Sequence, residues 1–250
     1  MNLRGLIFDV DGTLADTERD GHRPAFNAAF REARLDWHWD EALYGELLAV
    51  TGGKERIVHF AARHRPAFAR LPDLAERVAA LHEAKTRHYT QLAATGAIAL
   101  RPGVARLLAQ ARTSGLRLAI ATTTRLENVA ALLTPALGPQ VMSWFEVIGA
   151  GDVVAAKKPA PDIYRWVLER LGLPTSECLA FEDSAHGLHA ALGAGLATVV
   201  TPCDTTRGQD FSGAVAVLDS LEGVTLSDLD GWLSGANARH CRAGGNPLAH

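Results

Sequence analysis

Apolar and polar positions along this 250-residue chain follow two rhythms. Short, mainly apolar runs occur at Gly5 to Val10, Leu116 to Ala121, Val147 to Ala150, Cys178 to Phe181 and Ala197 to Val200. Strands buried on both faces of a parallel sheet read in this way. Between them the spacing becomes helical. Arg101-Pro102-Gly103 introduces a helix over Val104 to Ser114 that closes on Gly115, and Pro161-Asp162 introduces one over Ile163 to Leu171 that closes on Gly172. In the second, Ile163, Val167 and Leu171 recur every four residues and form a stripe that can pack on a sheet. The alternation predicts an α/β fold: a Rossmann-like parallel sheet core flanked by helices, with right-handed crossovers.

The interval from Thr17 to Ala94 breaks that rhythm. It reads as helices rich in Ala, Arg, His and Glu, with breaks near Gly52-Gly53, Pro66 and Pro72. We read residues 17–94 as an inserted α-helical cap domain and residues 1–16 with 95–230 as the core. A cap in this place can close over the carboxyl end of the first strand; the plainer alternative is an α-rich first half. The segment between Arg125 and Lys157 is too short for a second large cap. Residues 231–250 are rich in Gly, Ala, Asn and Arg without periodicity, which predicts a disordered tail.

Composition narrows the function classes. A hydrophobic content of 48% with 21% charged residues is that of a soluble globular chain. The net charge of −3 and the lack of a long basic run predict neither a nucleic-acid nor a membrane partner. The chain begins a strand almost at once, with no leader character. The cysteines, Cys178, Cys203 and Cys241, have neither disulfide-framework nor metal-ligand spacing, so reduced thiols and a cytoplasmic location are expected.

The candidate chemistry sits at strand ends. Asp9 and Asp11 follow the first apolar run and precede Gly12-Thr13. Two carboxylates delivered into one cleft are costly unless a cation or a reaction uses them; alone, they could equally mark an acidic turn. Thr122-Thr123-Thr124 follows the second run, as anion donors or simply as β-branched strand residues. Lys157-Lys158-Pro159 places an ammonium before a helix start, into the cleft or into solvent. Glu182-Asp183-Ser184 follows the fourth run, and its carboxylates suit an all-oxygen Mg²⁺ site, unless Asp183 or Ser184 merely caps the next helix. In the helical interval, Gly52-Gly53-Lys54-Glu55-Arg56 puts glycines before a helix start, as an anion-binding turn or as an ordinary helix–helix turn with a solvated basic end.

The order Asp-x-Asp, Thr, Lys-Pro, Glu-Asp, each at a strand end, resembles the haloacid dehalogenase superfamily of phosphotransferases over residues 3 to 220. The resemblance implies that Asp9 attacks phosphorus, that Asp11 protonates the leaving oxygen and then activates water, and that Thr122 and Lys158 hold the phosphoryl group. It implies a Mg²⁺ cofactor held by Asp9, Asp11 through its backbone carbonyl, Asp183 and Glu182. Asp11, together with Glu182-Asp183, argues for phosphate chemistry over dehalogenation. Asp16 to Arg23, Phe26-Asn27, Asp36 to Asp40 and the Gly-Gly-Lys-Glu-Arg segment look like the CbbY-like branch. By that likeness the substrate is a small phosphorylated sugar, xylulose-1,5-bisphosphate converted to xylulose 5-phosphate, which removes an inhibitor of Rubisco in the Calvin cycle. Thr17, His22, Gly52, Gly53, Lys54, Arg56 and Thr123 would bind it, one phosphate resting near the glycines. Trp37 and Trp39 are assigned to packing, and a monomer is expected. The competing readings are a sugar-phosphate mutase like β-phosphoglucomutase, a phosphoglycolate phosphatase, and a non-catalytic binding protein, the last disfavoured by the presence of Asp9, Asp11, Lys158 and Asp183.

Overall fold

The apolar runs become the strands of one sheet. In the computed structural model, which describes residues 2–243, parallel strands lie in the order β3-β2-β1-β4-β5-β6. They are β1 (Gly5–Phe8), β2 (Arg117–Ala121), β3 (Phe145–Gly149), β4 (Cys178–Glu182), β5 (Ala197–Val200) and β6 (Ala216–Val217). The first strand stops at Phe8 rather than Val10, and β6, two partly exposed residues, is too short to carry a periodic signal.

Because side chains alternate across a strand, the sheet has two apolar faces. Leu6, Phe8, Leu118, Ile120, Leu179 and Phe181 share one buried cluster. Ile7, Ala119, Ala121 and Ala180 share the other with Ile163, Val167 and Leu171, the stripe foreseen on α8 (Asp162–Leu171). The flanking helices are α6 (Val104–Thr113), α7 (Leu126–Leu137), α9 (Ala185–Gly193) and α10 (Leu226–Ala243). That last helix corrects the tail expected from residue 231: Leu229 and Leu233, four residues apart, are fully buried and carry the chain as helix through Ala243. Residues 244–250 lie outside the described residues.

Between β1 and β2 the regular elements are helical: a π-helical turn Glu18–His22 running into α1 (Arg23–Glu32), then α2 (Glu41–Leu47), α3 (Gly53–His64), α4 (Pro66–Ala69) and α5 (Leu74–Ala94). Gly52, at φ +99, precedes α3, and Pro66 opens α4, so two of the expected breaks fall where backbone chemistry demands them. These helices gather their own core around Phe26, Phe30, Trp37, Trp39 and Phe60. Asn27 brackets Trp39, its Nδ2 donating to the Trp39 carbonyl at 2.8 Å and its Oδ1 accepting from the Trp39 amide at 2.8 Å. Both connections to this helical insert pass one point, where Ala15 bridges Leu100 and the Arg101 amide donates to the Leu14 carbonyl at 2.9 Å. Among the described residues, no helix is long and apolar enough to cross a membrane.

Candidate active site

Strand register assembles the site. Phe8 pairs with Ile120 on one side and Phe181 on the other, so the residues that follow leave the sheet at one level. This is where strand order reverses around β1, the usual crevice of an open α/β sheet. Asp9 keeps a last sheet bond, its amide donating to the Phe181 carbonyl at 3.0 Å, and the chain then turns at Gly12, φ +83. A Cβ on Gly12 would overlap the Asp183 carboxylate, so only glycine lets the β1 loop lie against the end of β4. A Cβ on Gly187 would similarly overlap the Glu182 carboxylate.

Lys158 ties the strand ends together. Its ammonium is buried and uses all its donors: Asp9 Oδ1 at 2.7 Å, Glu182 Oε1 at 2.6 Å and the Ala121 carbonyl at 2.9 Å. The Tyr164 hydroxyl also donates to Glu182, and its ring centroid lies 5.0 Å from the ammonium. Ser184 accepts from the Gly187 amide at 3.2 Å, so the cap of α9 is Ser184 and the Asp183 carboxylate is left for other use.

Asp9, Glu182 and Asp183 each offer a carboxylate oxygen, all within 4.8 Å of one another and all buried. One ammonium faces three carboxylates, and the cluster shows the deficit. Burial pushes Asp9 up to about 8 against the pull of Lys158, with Glu182 and Asp11 adding to the rise. Burial also lifts Asp183 well above the usual carboxylate range. Lys158 is raised because the charges of Asp9 and Glu182 outweigh its own desolvation. Three hard oxygen donors short of positive charge fit a divalent cation such as Mg²⁺.

Asp11 faces a different environment. Its Oδ1 accepts from the Thr17 hydroxyl at 2.6 Å and lies 2.9 Å from His22 Nε2. Behind it, Lys85 Nζ lies 2.8 Å from His22 Nδ1. An ammonium only donates, so Nδ1 accepts and Nε2 carries the hydrogen that faces Asp11. Tyr89 stacks on the imidazole at 4.3 Å. Burial would raise the Asp11 carboxyl, but His22, Thr17 and Lys85 outweigh it and hold it at about 2. Burial brings Lys85 itself down to about 8. The Asp11 side chain is thus not part of the acidic cluster, and any share it has in holding a cation falls to its carbonyl.

A cavity of about 340 Å³ lies between sheet and insert. Asp9, Asp11, Lys158, Glu182, Asp183 and Thr123 line it from below, and Glu18, Gly52 and Arg56 from above. Of the hydroxyl run, Thr123 reaches this space; Thr122 is buried beside it, its Oγ1 accepting from the Thr124 amide at 3.3 Å. Thr17 contacts Asp11 rather than the cavity. Arg56 is engaged on the insert side: Nη1 donates to the Tyr44 hydroxyl at 2.8 Å and lies 3.6 Å from Glu18, to which Tyr44 donates at 2.5 Å. Lys54 and Gly53 line an adjoining cavity of about 350 Å³ with His82, Arg125 and Lys157. Burial and the neighbouring cations push His82 down to about 3, so it is neutral there. His22 borders a third, smaller space that joins the two.

Glu18, Lys85, Arg125 and Tyr164 were not singled out from the sequence. Lys85 had a signal: Leu81, Lys85 and Tyr89 stand four residues apart on the buried stripe of α5, where a lysine needs a partner.

The sequence profile of haloacid dehalogenase-like hydrolases matches residues 3–195. This chain belongs to that family. Within it the chain is 52% identical over 219 residues to the plasmid-encoded protein CbbY of Cupriavidus necator, covering 88% of this chain and 86% of that protein. The crystal structure of CbbY from Rhodobacter sphaeroides in complex with phosphate superimposes with a TM-score of 0.84 at 49% identity, covering 91% of this chain and 99% of the other. A mutant of the same protein has been crystallised with xylulose-(1,5)-bisphosphate, again at TM-score 0.84. The chain is therefore a CbbY-like phosphatase, a phosphoric monoester hydrolase with the six-stranded parallel fold of that family.

Proposed function

We propose that this phosphatase is Mg²⁺-dependent and removes one phosphate from a small sugar bisphosphate, converting xylulose-1,5-bisphosphate to xylulose 5-phosphate. The observation that carries the reading is a pair of adjoining cavities that share Thr123. In one lie a carboxylate nucleophile candidate and a buried ammonium, Asp9 and Lys158; the other is lined by cations at the start of α3 and the α7 loop. The Rhodobacter relative that binds the bisphosphate supports the choice of sugar.

The geometry supports the following chemistry. An Asp9 oxygen attacks phosphorus, the bond from phosphorus to the sugar oxygen breaks, and that oxygen takes a proton relayed through Asp11, which is ionised at rest. His22 and Lys85 stand behind Asp11 as its proton source. In the second half Asp11, then ionised, takes a proton from water; the water oxygen attacks phosphorus and the bond to Asp9 breaks. Lys158 keeps Asp9 oriented and offsets charge on the equatorial oxygens. Thr123 and its neighbour Thr122 border the same wall. When bound at Asp9, Glu182 and Asp183, Mg²⁺ would supply charge neutralisation of the phosphoryl oxygens. The distal phosphate rests near Gly52, Gly53 and Lys54, with Arg125 and Lys157 close by, while Glu18 and Arg56 face the sugar.

The test is phosphate release from xylulose-1,5-bisphosphate, ribulose-1,5-bisphosphate, phosphoglycolate and glucose phosphates, with and without Mg²⁺ and with Asp9→Asn as the blank. Preference for the first compound with a metal requirement is the expected result. Equal release from all, or an isomeric sugar phosphate in place of inorganic phosphate, would overturn it.

A further inference from the structure

We propose that Cys203 is a positioning residue for Asp183, its thiol fixing the rotation of that carboxylate through Oδ2. The inference rests on the reading of Asp183 as a cation ligand.

The Asp183 Oδ2 atom sits between two walls. One is Gly12, whose missing Cβ leaves the only room for that oxygen. The other is the Cys203 sulfur, 3.3 Å from Oδ2. Among the described residues no other group hydrogen-bonds this carboxylate. A thiol has one proton and a carboxylate ionised to hold a cation can only accept, so in that form the S–H points at Asp183. The sulfur lone pairs then face hydroxyls, Thr205 Oγ1 at 3.1 Å and Thr206 Oγ1 at 3.4 Å. Thr206 also accepts from the Cys203 amide at 2.9 Å, which holds the residue in place.

Both walls are tied to one side chain. The buried Arg101 guanidinium donates to the Thr201 carbonyl at 2.5 Å, to the Pro202 carbonyl at 2.8 Å and to the Gly12 carbonyl. The loop that carries the thiol and the loop that carries Gly12 therefore keep a fixed spacing across Asp183. The contrast with Cys178 shows that Cys203 is not there for volume alone. Cys178 is buried against Gly5, Leu171 and Leu173 with no polar partner, as a small apolar residue would be.

Groups that orient a ligand from outside change metal affinity by about 10- to 100-fold, and a thiol, a weak donor, belongs at the low end. The test uses the full chain as wild type, Cys203→Ala, Cys203→Ser and Asp183→Asn. Mg²⁺ binding is followed by calorimetry and by the rise in Tm, and kcat and KM are measured at saturating Mg²⁺. We expect Cys203→Ala to weaken Mg²⁺ binding about tenfold with KM for the sugar phosphate unchanged at saturation, and Cys203→Ser, which restores a donor, to recover most of the loss. If Cys203→Ala fails to fold, Cys203→Val keeps apolar volume without a donor and must show the same weakening. The proposal is overturned if the alanine or valine variant binds Mg²⁺ as wild type does while losing Tm without metal, or if serine restores nothing. Unaltered Mg²⁺ binding by Asp183→Asn would instead remove the underlying ligand reading.

Discussion

Asp9→Asn should abolish turnover in the presence of Mg²⁺ and make the metal-free protein more stable. The wild-type carboxyl is buried and pushed up from 3.8 to about 8. In the unfolded chain it ionises near its ordinary value, so between about pH 4 and pH 8 the folded chain retains a proton that the unfolded chain has released. Stability therefore falls across that window, and above about pH 8 the fold carries the whole cost of an ionised Asp9. A shift of about 4 units, at about 1.4 kcal/mol each, caps that cost at about 6 kcal/mol. Water entry at the open mouth and movement of neighbouring side chains should reduce it to about 2 kcal/mol. Asparagine has no charge to desolvate, and its Oδ1 still accepts from Lys158. The assay is urea unfolding in EDTA at pH 4.5 and 8.5, repeated with Mg²⁺, beside a phosphate-release measurement. The variant should be the more stable by about 2 kcal/mol at pH 8.5 and equal to wild type at pH 4.5, and added Mg²⁺ should narrow the gap by stabilising wild type. A variant less stable than wild type at pH 8.5 in EDTA refutes the electrostatic reasoning, and substantial residual turnover refutes the nucleophile assignment.

Three further outcomes follow from the same charges. Lys158→Met should cost about 3 kcal/mol or more in EDTA, because it strips the only ammonium from two buried carboxylates, and addition of Glu182→Gln should recover part of it; urea midpoints for the single and double variants decide this. Mg²⁺ binding should release at least one proton near pH 7 and weaken about tenfold or more per pH unit below 8, since the cation must displace the proton that Asp9 holds and burial favours a proton on Asp183 as well; calorimetry in buffers of different ionisation enthalpy counts it, and a pH-independent affinity would contradict it. Lys54→Ala should raise KM for a bisphosphate about tenfold and leave small monophosphates unaffected, and an equal loss on both would count against a distal-phosphate role for the cavity it lines.

The strand-end chemistry was legible because buried parallel strands write themselves as mainly apolar runs, and whatever polar residue ends such a run stands in the crevice. Asp9, Glu182 and Asp183 were readable for that reason, and the register of Phe8 with Phe181 then placed them side by side, whereas Lys158 was read from the lysine pair before a helix start and reaches Asp9 and Glu182 from the loop after β3. The choice between Thr122 and Thr123 was not readable, since adjacent residues at a strand end point to opposite sides and the sequence does not say which side is open. The insert was harder still. Lys85 contacts His22 across 63 positions of sequence, and nothing local to either residue announces the other. Arg56 looked like a free cation at a helix start, yet the fold pairs it with Tyr44 and Glu18. The end of the chain was misread because two leucines among glycines and alanines make a faint stripe, while the surface that buries them is built by distant parts of the chain.

Two aspartates separated by one residue end with opposite tendencies, and in the metal-free protein each opposes its proposed role: a cation must ionise Asp9, and a proton must reach Asp11 from the groups behind it. Asp9 and Asp11 leave the same strand, so bulk position does not distinguish them; their partners do. Asp9 belongs to the sheet side, where Lys158 alone offsets three carboxylates and a cation completes the balance. Asp11 belongs to the insert side, where Thr17, His22 and Lys85 supply donors in excess. Those donors come from the first connection, α1's leading turn and α5, so the acid–base group is held by the same helices that line the substrate cavity. The proposed nucleophile is thus held by the core, and the proposed acid–base group by the insert. Any movement that draws α5 away removes Lys85 from His22 while leaving Asp9 and Lys158 in place, which would couple the proposed acid–base step to the position of α5 and leave the sheet side of the site formed.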